Sequence, residues 1–465
     1  MKKLGIVITD GVGFRNFIMS DFIKEASSQF DKIIIYSGLP KNCYNNFNGV
    51  DLEIKELPVF VEGKATWVFR KWKELAHLQL HKEFYGMKDN LVTGYPKSNS
   101  IRSILIKALH FFTRYINSDK SILFAEKMQF LSFSKNKITK EYIDLLQKDK
   151  PSYVFFTHQR PPYLAPFLYA AIKSKIPVST FIFSWDNLAS KGRMLGTFDH
   201  FLVWSQLMKD ELLYFYPNVK SENVNIVGTP QFEPYVLDKY ESSKENFLNK
   251  FGLDKSKKII CYSCADVSIG PNDPLVIKTI AEAIRNNEIK FDVQLLIRTS
   301  PAEDDRRFKA IRDEFPEIFW NVPKWVLTRE NHQESWSQRI PSQEDIMDLR
   351  ALLENSDLNI NMCSTMSLDF MFFDKPVINT VFGNLENGLY NDQRFLNYVH
   401  YKKVIDGNAV TIAKNKKELI DQINQALEMP KEREKERKAM INLQIGQSLE
   451  GTSKRIASTL ASFND

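Results

Sequence analysis

Asn361-Met-Cys-Ser-Thr-Met-Ser-Leu-Asp-Phe-Met-Phe-Phe-Asp-Lys-Pro-Val-Ile378 is the stretch that decides the fold. It follows a short apolar run, Leu358-Asn-Ile360, that reads as a strand, and it ends in Pro376-Val-Ile378, which reads as the next strand. Between them the pattern predicts a helix opening at Ser364/Thr365. Free backbone N–H groups and the positive end of a helix dipole attract an anion there, and small hydroxyl side chains let a phosphate approach. Asp369 stands about a turn and a half further on, an acceptor placed for ribose hydroxyls. The plainer alternative is a capped helix packed between two strands, with Asp369 on a solvated face.

Working outward, strand and helix patterns alternate, which argues for parallel sheets covered on both faces. Leu4–Thr9, Lys32–Tyr36, Tyr153–Thr157, Val178–Ser184, Phe201–Trp204 and Val224–Val227 read as strands of a first half. Gly228-Thr-Pro-Gln-Phe-Glu-Pro234 reads as a hinge. Lys258–Ser263, Val293–Arg298, the stretch above and a closing strand at Val404–Ile405 make a second half. The expected domains are 1–228, with a helical insertion at about 60–150, then 229–430, and a charged helical tail, 431–465, that crosses back to the first. The fold class is α/β, with two doubly wound Rossmann-like domains facing each other across a cleft. Ligands in such sheets bind beyond the carboxyl ends of the strands.

At 465 residues the chain is too long for one ordinary core, and 43% hydrophobic with 26% charged residues is a globular balance, not a disordered one. No apolar run is long enough to span a bilayer. The run after Met1-Lys-Lys3 is broken by Asp10 and reads as a strand, not a signal peptide, so the expected location is cytoplasmic. Four cysteines make no disulfide framework, and Cys261-Tyr-Ser-Cys264 lacks a second pair of metal ligands. No metal and no cofactor is expected.

The charge is uneven. Lys64 to Lys120 holds eleven Lys/Arg against four Asp/Glu, while the whole chain carries +6. Trp67, Phe69, Trp72, Phe84, Tyr85, Phe111, Phe112 and Tyr115 fall in the same segment. Ile101, Leu105, Ala108/Leu109, Phe112 and Ile116 recur at helical spacing among Arg102, Lys107 and Arg114. This is the pattern of a helix lying on an anionic membrane surface, with peripheral attachment to the inner face of the membrane. The alternative is an ordinary helix packed on the core. Nucleic acid is not an expected partner, because no nucleic-acid motif accompanies the charge.

The Ser/Thr-rich helix start, the acidic residue five positions on and Lys375-Pro-Val-Ile378 resemble the donor-nucleotide motif of GT-B glycosyltransferases. The same pattern occurs in the related CDP-glycerol glycerophosphotransferases and UDP-N-acetylglucosamine 2-epimerases. Val227-Gly-Thr-Pro-Gln-Phe-Glu-Pro-Tyr235, Leu296-Ile-Arg-Thr-Ser-Pro301 and Ser356-Asp-Leu-Asn-Ile360 are similar to other segments of that superfamily. The resemblance implies a nucleotide-sugar donor bound by Arg298, Ser364, Thr365, Ser367 and Asp369. Arg298 would steady the departing diphosphate, an ion pair being its alternative; Arg329 and Asp392 are weaker candidates.

On the acceptor side, Asp10-Gly-Val-Gly13 follows the first strand, and Gly11 and Gly13 offer close backbone access. Thr157-His158-Gln-Arg160 follows another strand and is stiffened by Pro161-Pro162. His158 there can take a proton near neutral pH, Asp10 and Asp186 being the other candidate bases; a histidine bonded to a backbone carbonyl is the plainer reading. In Ser184-Trp-Asp-Asn-Leu-Ala-Ser-Lys-Gly-Arg193, Trp185 can stack on a sugar or lipid-linked acceptor, and Lys191 or Arg193 can meet phosphate. Many retaining members of the superfamily carry two glutamates eight residues apart, the second touching the ribose. Counting back from Asp369 gives Asn361, a departure that favours inversion. With no Asp-x-Asp triplet, the expected reaction is metal-independent transfer to a surface glycan or lipid-linked acceptor. The alternatives are a polyol-phosphate transferase or epimerase of the same superfamily, and a non-catalytic nucleotide-sugar-binding scaffold.

Overall fold

The structure is a computed structural model that describes residues 2–45, 52–332, 334–383 and 392–463. The chain divides into two compact units. The first comprises Met1–Gln231, Leu327–Ile340 and Gln444–Asp465; the second comprises Phe232–Val326 and Pro341–Leu443.

The first unit holds a seven-stranded sheet built from β1 (Lys3–Ile8), β2 (Lys32–Ser37), β3 (Leu52–Glu56), β4 (Tyr153–Phe156), β5 (Val178–Phe181), β6 (His200–Val203) and β7 (Val224–Ile226). Their order is β3-β2-β1-β4-β5-β6-β7, and every pair is parallel. Runs such as Leu4-Gly-Ile-Val-Ile8 are buried on both faces, which is why they read as continuous apolar strands without alternation. Strand order reverses between β1 and β4, and the register Val7↔Phe156 brings the segments after these strands side by side. That reversal is where a doubly wound sheet opens a crevice.

The second unit repeats the plan. β8 (Lys258–Ser263), β9 (Val293–Arg298) and β10 (Phe319–Asn321) come first; two short strands at the ends of the segment Leu327–Ile340, β11 (Trp325–Leu327) and β12 (Arg339–Pro341), pair with each other outside this sheet; then come β13 (Leu358–Asn361), β14 (Val377–Thr380) and β15 (Thr411–Ala413). The six-stranded order is β10-β9-β8-β13-β14-β15, all parallel, with its reversal between β8 and β13. Ile260, Tyr262, Ile297, Leu358, Ile360 and Ile378 form the core of this unit with Ile277, Ile280 and Ile423 from the helices. Both units are thus Rossmann-like.

Three expectations are corrected. Val404–Ile405 is not a strand but lies in the helix Val399–Asp406, and the closing strand is Thr411–Ala413. The pair sits in a helix because Tyr401 and Val404, three apart, are buried while Lys402 and Lys403 are exposed. The segment Leu327–Ile340 joins the first unit although it falls in the middle of the second half of the chain. The tail passes to the first unit later than 431: it belongs to the second unit up to Leu443 and to the first from Gln444, where helix Thr452–Ser462 packs beside helix Phe22–Ser27.

Candidate functional site

At the reversal of the first sheet, Asp10 follows β1 and caps helix Gly11–Phe17, its carboxylate accepting from Gly13 N at 2.8 Å. Thr9 Oγ1 donates to the same carboxylate at 2.7 Å, and His158 Nδ1 lies 2.9 Å from Oδ2. The His158 ring lies flat on Phe183, with centroids 3.9 Å apart and planes 13° apart. Asp10 and His158, expected as competing bases, are therefore one device. With Asp10 accepting, Nδ1 carries the proton and the lone pair sits on Nε2, which is buried and has no hydrogen-bond partner. Burial drives Asp10 upward, but the bonds and charge of His158, the Thr9 hydroxyl and the Gly13 amide outweigh it and hold the carboxyl below its usual value. Burial pulls His158 below its usual value, Asp10 opposing and Arg160 assisting. The imidazole is thus neutral at pH 7 and ready to accept a proton.

Leu327–Ile340 completes this corner. His332 meets Tyr163 edge to face with centroids 4.9 Å apart, and Tyr163 Oη donates to the carbonyl of Thr9. Glu334 lies in the same segment, and burial, with the charge of Asp10 added, raises its carboxyl above the usual range while Arg160 opposes. Glu334 leaves no local trace in the sequence, because the charges that act on it, Asp10 and Arg160, lie far back along the chain. Gly11 is explained here too. A Cβ on it would fall 1.5 Å from the Arg339 carbonyl oxygen, so its close approach is taken by the chain itself. A Cβ on Gly13 would meet Thr157 Oγ1 at 2.9 Å.

The loop after β5 departs from expectation. Trp185 is buried, which removes it as a surface platform for sugar. Asp186 accepts from Asn187 Nδ2 at 3.0 Å and pairs with Lys191 at 3.4 Å. Arg193 is buried over the Tyr216 ring at 4.3 Å and 3.8 Å from Glu126, a carboxylate that also lies 3.8 Å from Lys73. Burial brings Lys73 down to about 8. Arg193 therefore belongs to a packed charge cluster, not an open phosphate loop. Arg329 pairs with Glu56 at 2.6 Å.

At the reversal of the second sheet the helix is Met366–Met371 with Thr365 at its N-cap, opening where expected after Cys363 turns the chain in the left-handed region at φ 47°. Asn361 Oδ1 accepts from Ser364 N at 2.9 Å, and Ser364 Oγ in turn accepts from Met366 N, the first amide of the helix, at 3.2 Å. Asn361 Nδ2 donates to Asn359 Oδ1 at 2.7 Å and to Ser367 Oγ at 3.1 Å. Ser367 Oγ lies 2.7 Å from Tyr401 Oη, which donates to Asn379 Oδ1 at 2.7 Å. Ser367 is thus an interior member of a buried polar network, while Ser364 and Thr365 stay half-buried at its mouth. Asp369 is buried and accepts from Tyr235 Oη, which ties the Gly-Thr-Pro-Gln-Phe-Glu-Pro-Tyr segment to the motif.

Arg298 is held by Asp345, its Nη2 lying 3.0 and 3.2 Å from the two carboxylate oxygens, and it also donates to Asn321. Asp345 accepts in addition from Trp325 Nε1 at 2.9 Å. The ion-pair alternative is the one this geometry supports. Asp392 has no side chain among those described. Among the described residues, no group of three or more His, Cys, Asp or Glu is arranged to hold a metal ion. Cys261 is buried and its thiol is pushed up to about 12. A cavity of about 350 Å³ opens beside Val293, Gln294 and Phe319, at the amino ends of β9 and β10 and away from both strand reversals.

Residues 324–461 match the family model described as CDP-glycerol:poly(glycerophosphate) glycerophosphotransferase. No curated protein matches the chain in sequence. Among solved structures, the chain is similar to Staphylococcus aureus MnaA in complex with UDP, at 12% identity and a TM-score of 0.54, covering 100% of this chain and 97% of that one. It is similar to UDP-GlcNAc 2-epimerase from Neisseria meningitidis bound to UDP-GlcNAc, at 14% identity and 0.51, covering 99% and 100%. It is also similar to the wall teichoic acid polymerase TagF, at 11% identity and 0.50, covering 100% and 88%. At such identities the likeness is one of fold, two Rossmann-like units of the GT-B kind.

Proposed function

We propose that the protein transfers a group from a nucleotide-activated donor to a hydroxyl-bearing acceptor, with His158 as the base. The observation that carries this reading is the unpartnered Nε2 of His158, held in one tautomer by Asp10 at the strand reversal of the first sheet. In the glycosyl version, His158 Nε2 takes the acceptor hydroxyl proton and the oxygen attacks the anomeric carbon. The bond from that carbon to the diphosphate oxygen breaks, and the nucleoside diphosphate leaves with the electron pair. Asp10 stabilises the imidazolium that forms. The donor is assigned to the second unit, with Ser364, Thr365 and Asp369 around it; the UDP and UDP-GlcNAc complexes of the similar folds support a nucleotide-sugar. Asn361, occupied as a cap and network hub, supplies no second carboxylate, which favours inversion.

A second reading is favoured by the match over residues 324–461. There the acceptor oxygen attacks the β-phosphorus of a CDP-linked polyol and CMP leaves. Against it, Thr299-Ser300 stand where such enzymes resemble one another in a His-Pro pair. The acceptor in either case is a surface glycan or a lipid-linked polyol or sugar.

The test is a thermal-shift screen with UDP, GDP, CDP and dTDP, followed by transfer assays with the matching sugar donors and with CDP-glycerol. Release of a nucleoside diphosphate supports glycosyl transfer, and release of CMP supports the polyol-phosphate reading. A chain that binds nucleotide yet releases neither product with any acceptor would leave only the binding-scaffold reading standing.

A further inference from the structure

Helix Ile101–Thr113 is built inside out. Ser103, His110 and Thr113 are its buried residues, while Ile101, Ile104, Leu105, Ala108 and Phe111 are exposed, Ile101 by 82% and Phe111 by 63%. At 3.6 residues per turn these five lie within a sector of about 120°. Of the polar residues on the inner side, Ser103 and Thr113 are hydrogen-bonded locally, while the buried Nε2 of His110 has no hydrogen-bond partner among the described residues. Ser103 Oγ lies 2.7 Å from Ser98 Oγ, Thr113 Oγ1 donates to Leu109 O at 2.8 Å, and the His110 ring meets Tyr95 edge to face. Phe112 packs on Trp72 with centroids 5.0 Å apart, so one edge of the helix is anchored. The apolar face continues past the helix end through Tyr115, 76% exposed, and Ile116.

Charge decides what covers this face. From Lys97 to Ser118 the chain has no Asp or Glu, and Lys97, Arg102, Lys107 and Arg114 are its ionic side chains. Arg102 and Lys107 flank the apolar sector on opposite edges, Arg102 stacked at 5.4 Å over Trp67 and Lys107 donating to Asn99 Oδ1 at 2.9 Å; among the described residues none of the four is in an ion pair. Arg70, Lys71 and Lys73 of the neighbouring helix Lys64–Leu80 are different, since Arg70 and Lys71 are bridged to Glu62 and Glu74, and Lys73 is buried. Long cationic side chains beside exposed Ile, Leu, Phe and Tyr match a surface that is apolar below and anionic above. A second copy of the same face would bring like charges together.

We propose that the outward face of helix Ile101–Thr113 docks on an anionic lipid bilayer. Ile101, Ile104, Leu105 and Phe111 enter the headgroup–acyl boundary, and Arg102, Lys107 and Arg114 meet lipid phosphates. The attachment is peripheral, and among the described residues no helix is long and apolar enough to cross a membrane. The surface stands independently of the transfer chemistry.

The experiment is sedimentation of the full chain with phosphatidylcholine vesicles, with and without a third of phosphatidylglycerol, at low and high salt. Retention on the anionic vesicles, released by salt, is the expected result. The triple variant Arg102→Gln, Lys107→Gln, Arg114→Gln should lose at least about tenfold in partitioning, each cation near the surface contributing on the order of fivefold. Ile104→Ser with Phe111→Ser, at positions exposed enough to leave the thermal midpoint unchanged, should lose a similar factor on anionic vesicles. Equal retention on both vesicle types, or either variant binding like the parent, overturns the proposal. A concentration-dependent dimer in light scattering that Phe111→Ser abolishes would overturn it in favour of a second copy.

Discussion

His158 carries the most chemistry per atom. Removing a general base costs about 10²–10⁴-fold in rate. His158→Ala should therefore lose transfer by that factor while keeping the thermal shift given by the donor nucleotide. Near-normal turnover in that variant would sink the assignment. The pH dependence follows from the same geometry. The base works when neutral, and burial keeps His158 below its usual value, so the acid limb of kcat/KM should fall below about pH 6.5. Asp10 is the main group opposing that shift, so Asp10→Asn leaves burial and Arg160 to prevail and should move the limb further toward acid. It should also lower the plateau rate, because the tautomer is no longer held. A limb that moves to higher pH in Asp10→Asn would show that the two groups are not coupled as the 2.9 Å contact implies.

At the scale of elements, the turn from β13 into helix Met366–Met371 is organised by Asn361. Asn361→Leu would strip partners from the Ser364 amide, the Ser367 hydroxyl and the side chains of Asn359 and Asn379. An orphaned buried polar group costs about 1–3 kcal/mol. Chemical denaturation should show at least about 2 kcal/mol of lost stability. Asp369 in the helix has two consequences that can be separated. Asp369→Ala should weaken nucleoside diphosphate binding by about 1–3 kcal/mol through unpaired ribose hydroxyls, and it also leaves Tyr235 Oη without its acceptor. Tyr235→Phe keeps the carboxylate, so it should alter stability without that loss of affinity. Calorimetry giving unchanged affinity in Asp369→Ala would move the donor site elsewhere.

At the scale of the whole molecule, the return of Leu327–Ile340 to the first unit is a packing decision that Gly11 records. Gly11→Ala sets a methyl 1.5 Å from the Arg339 backbone carbonyl oxygen, which cannot swing aside as a flexible side chain can, so the segment carrying Glu334 and His332 must shift. A stability loss at or above the usual 1–3 kcal/mol of overpacking is expected, with loss of transfer. Gly192→Ala is the control, its nearest neighbour being Glu74 Cγ at 3.7 Å, and should be close to neutral in a thermal melt. Sequence by itself determined the α/β class, the positions of most strands, and the fact that Asp10, His158 and the Asn361–Asp369 motif follow strands. Those features live in apolar runs and turn residues a few positions apart, so they leave a local trace. Only the tertiary structure decided that Asp10 and His158 are bonded and that Arg298 is spent on Asp345. It alone placed Ser367 inside a network, Glu334 in the first unit, and the apolar stripe of helix Ile101–Thr113 on the outside. Each of these depends on a partner or a surface far along the chain, and periodicity says which residues share a face but not which way the face is turned.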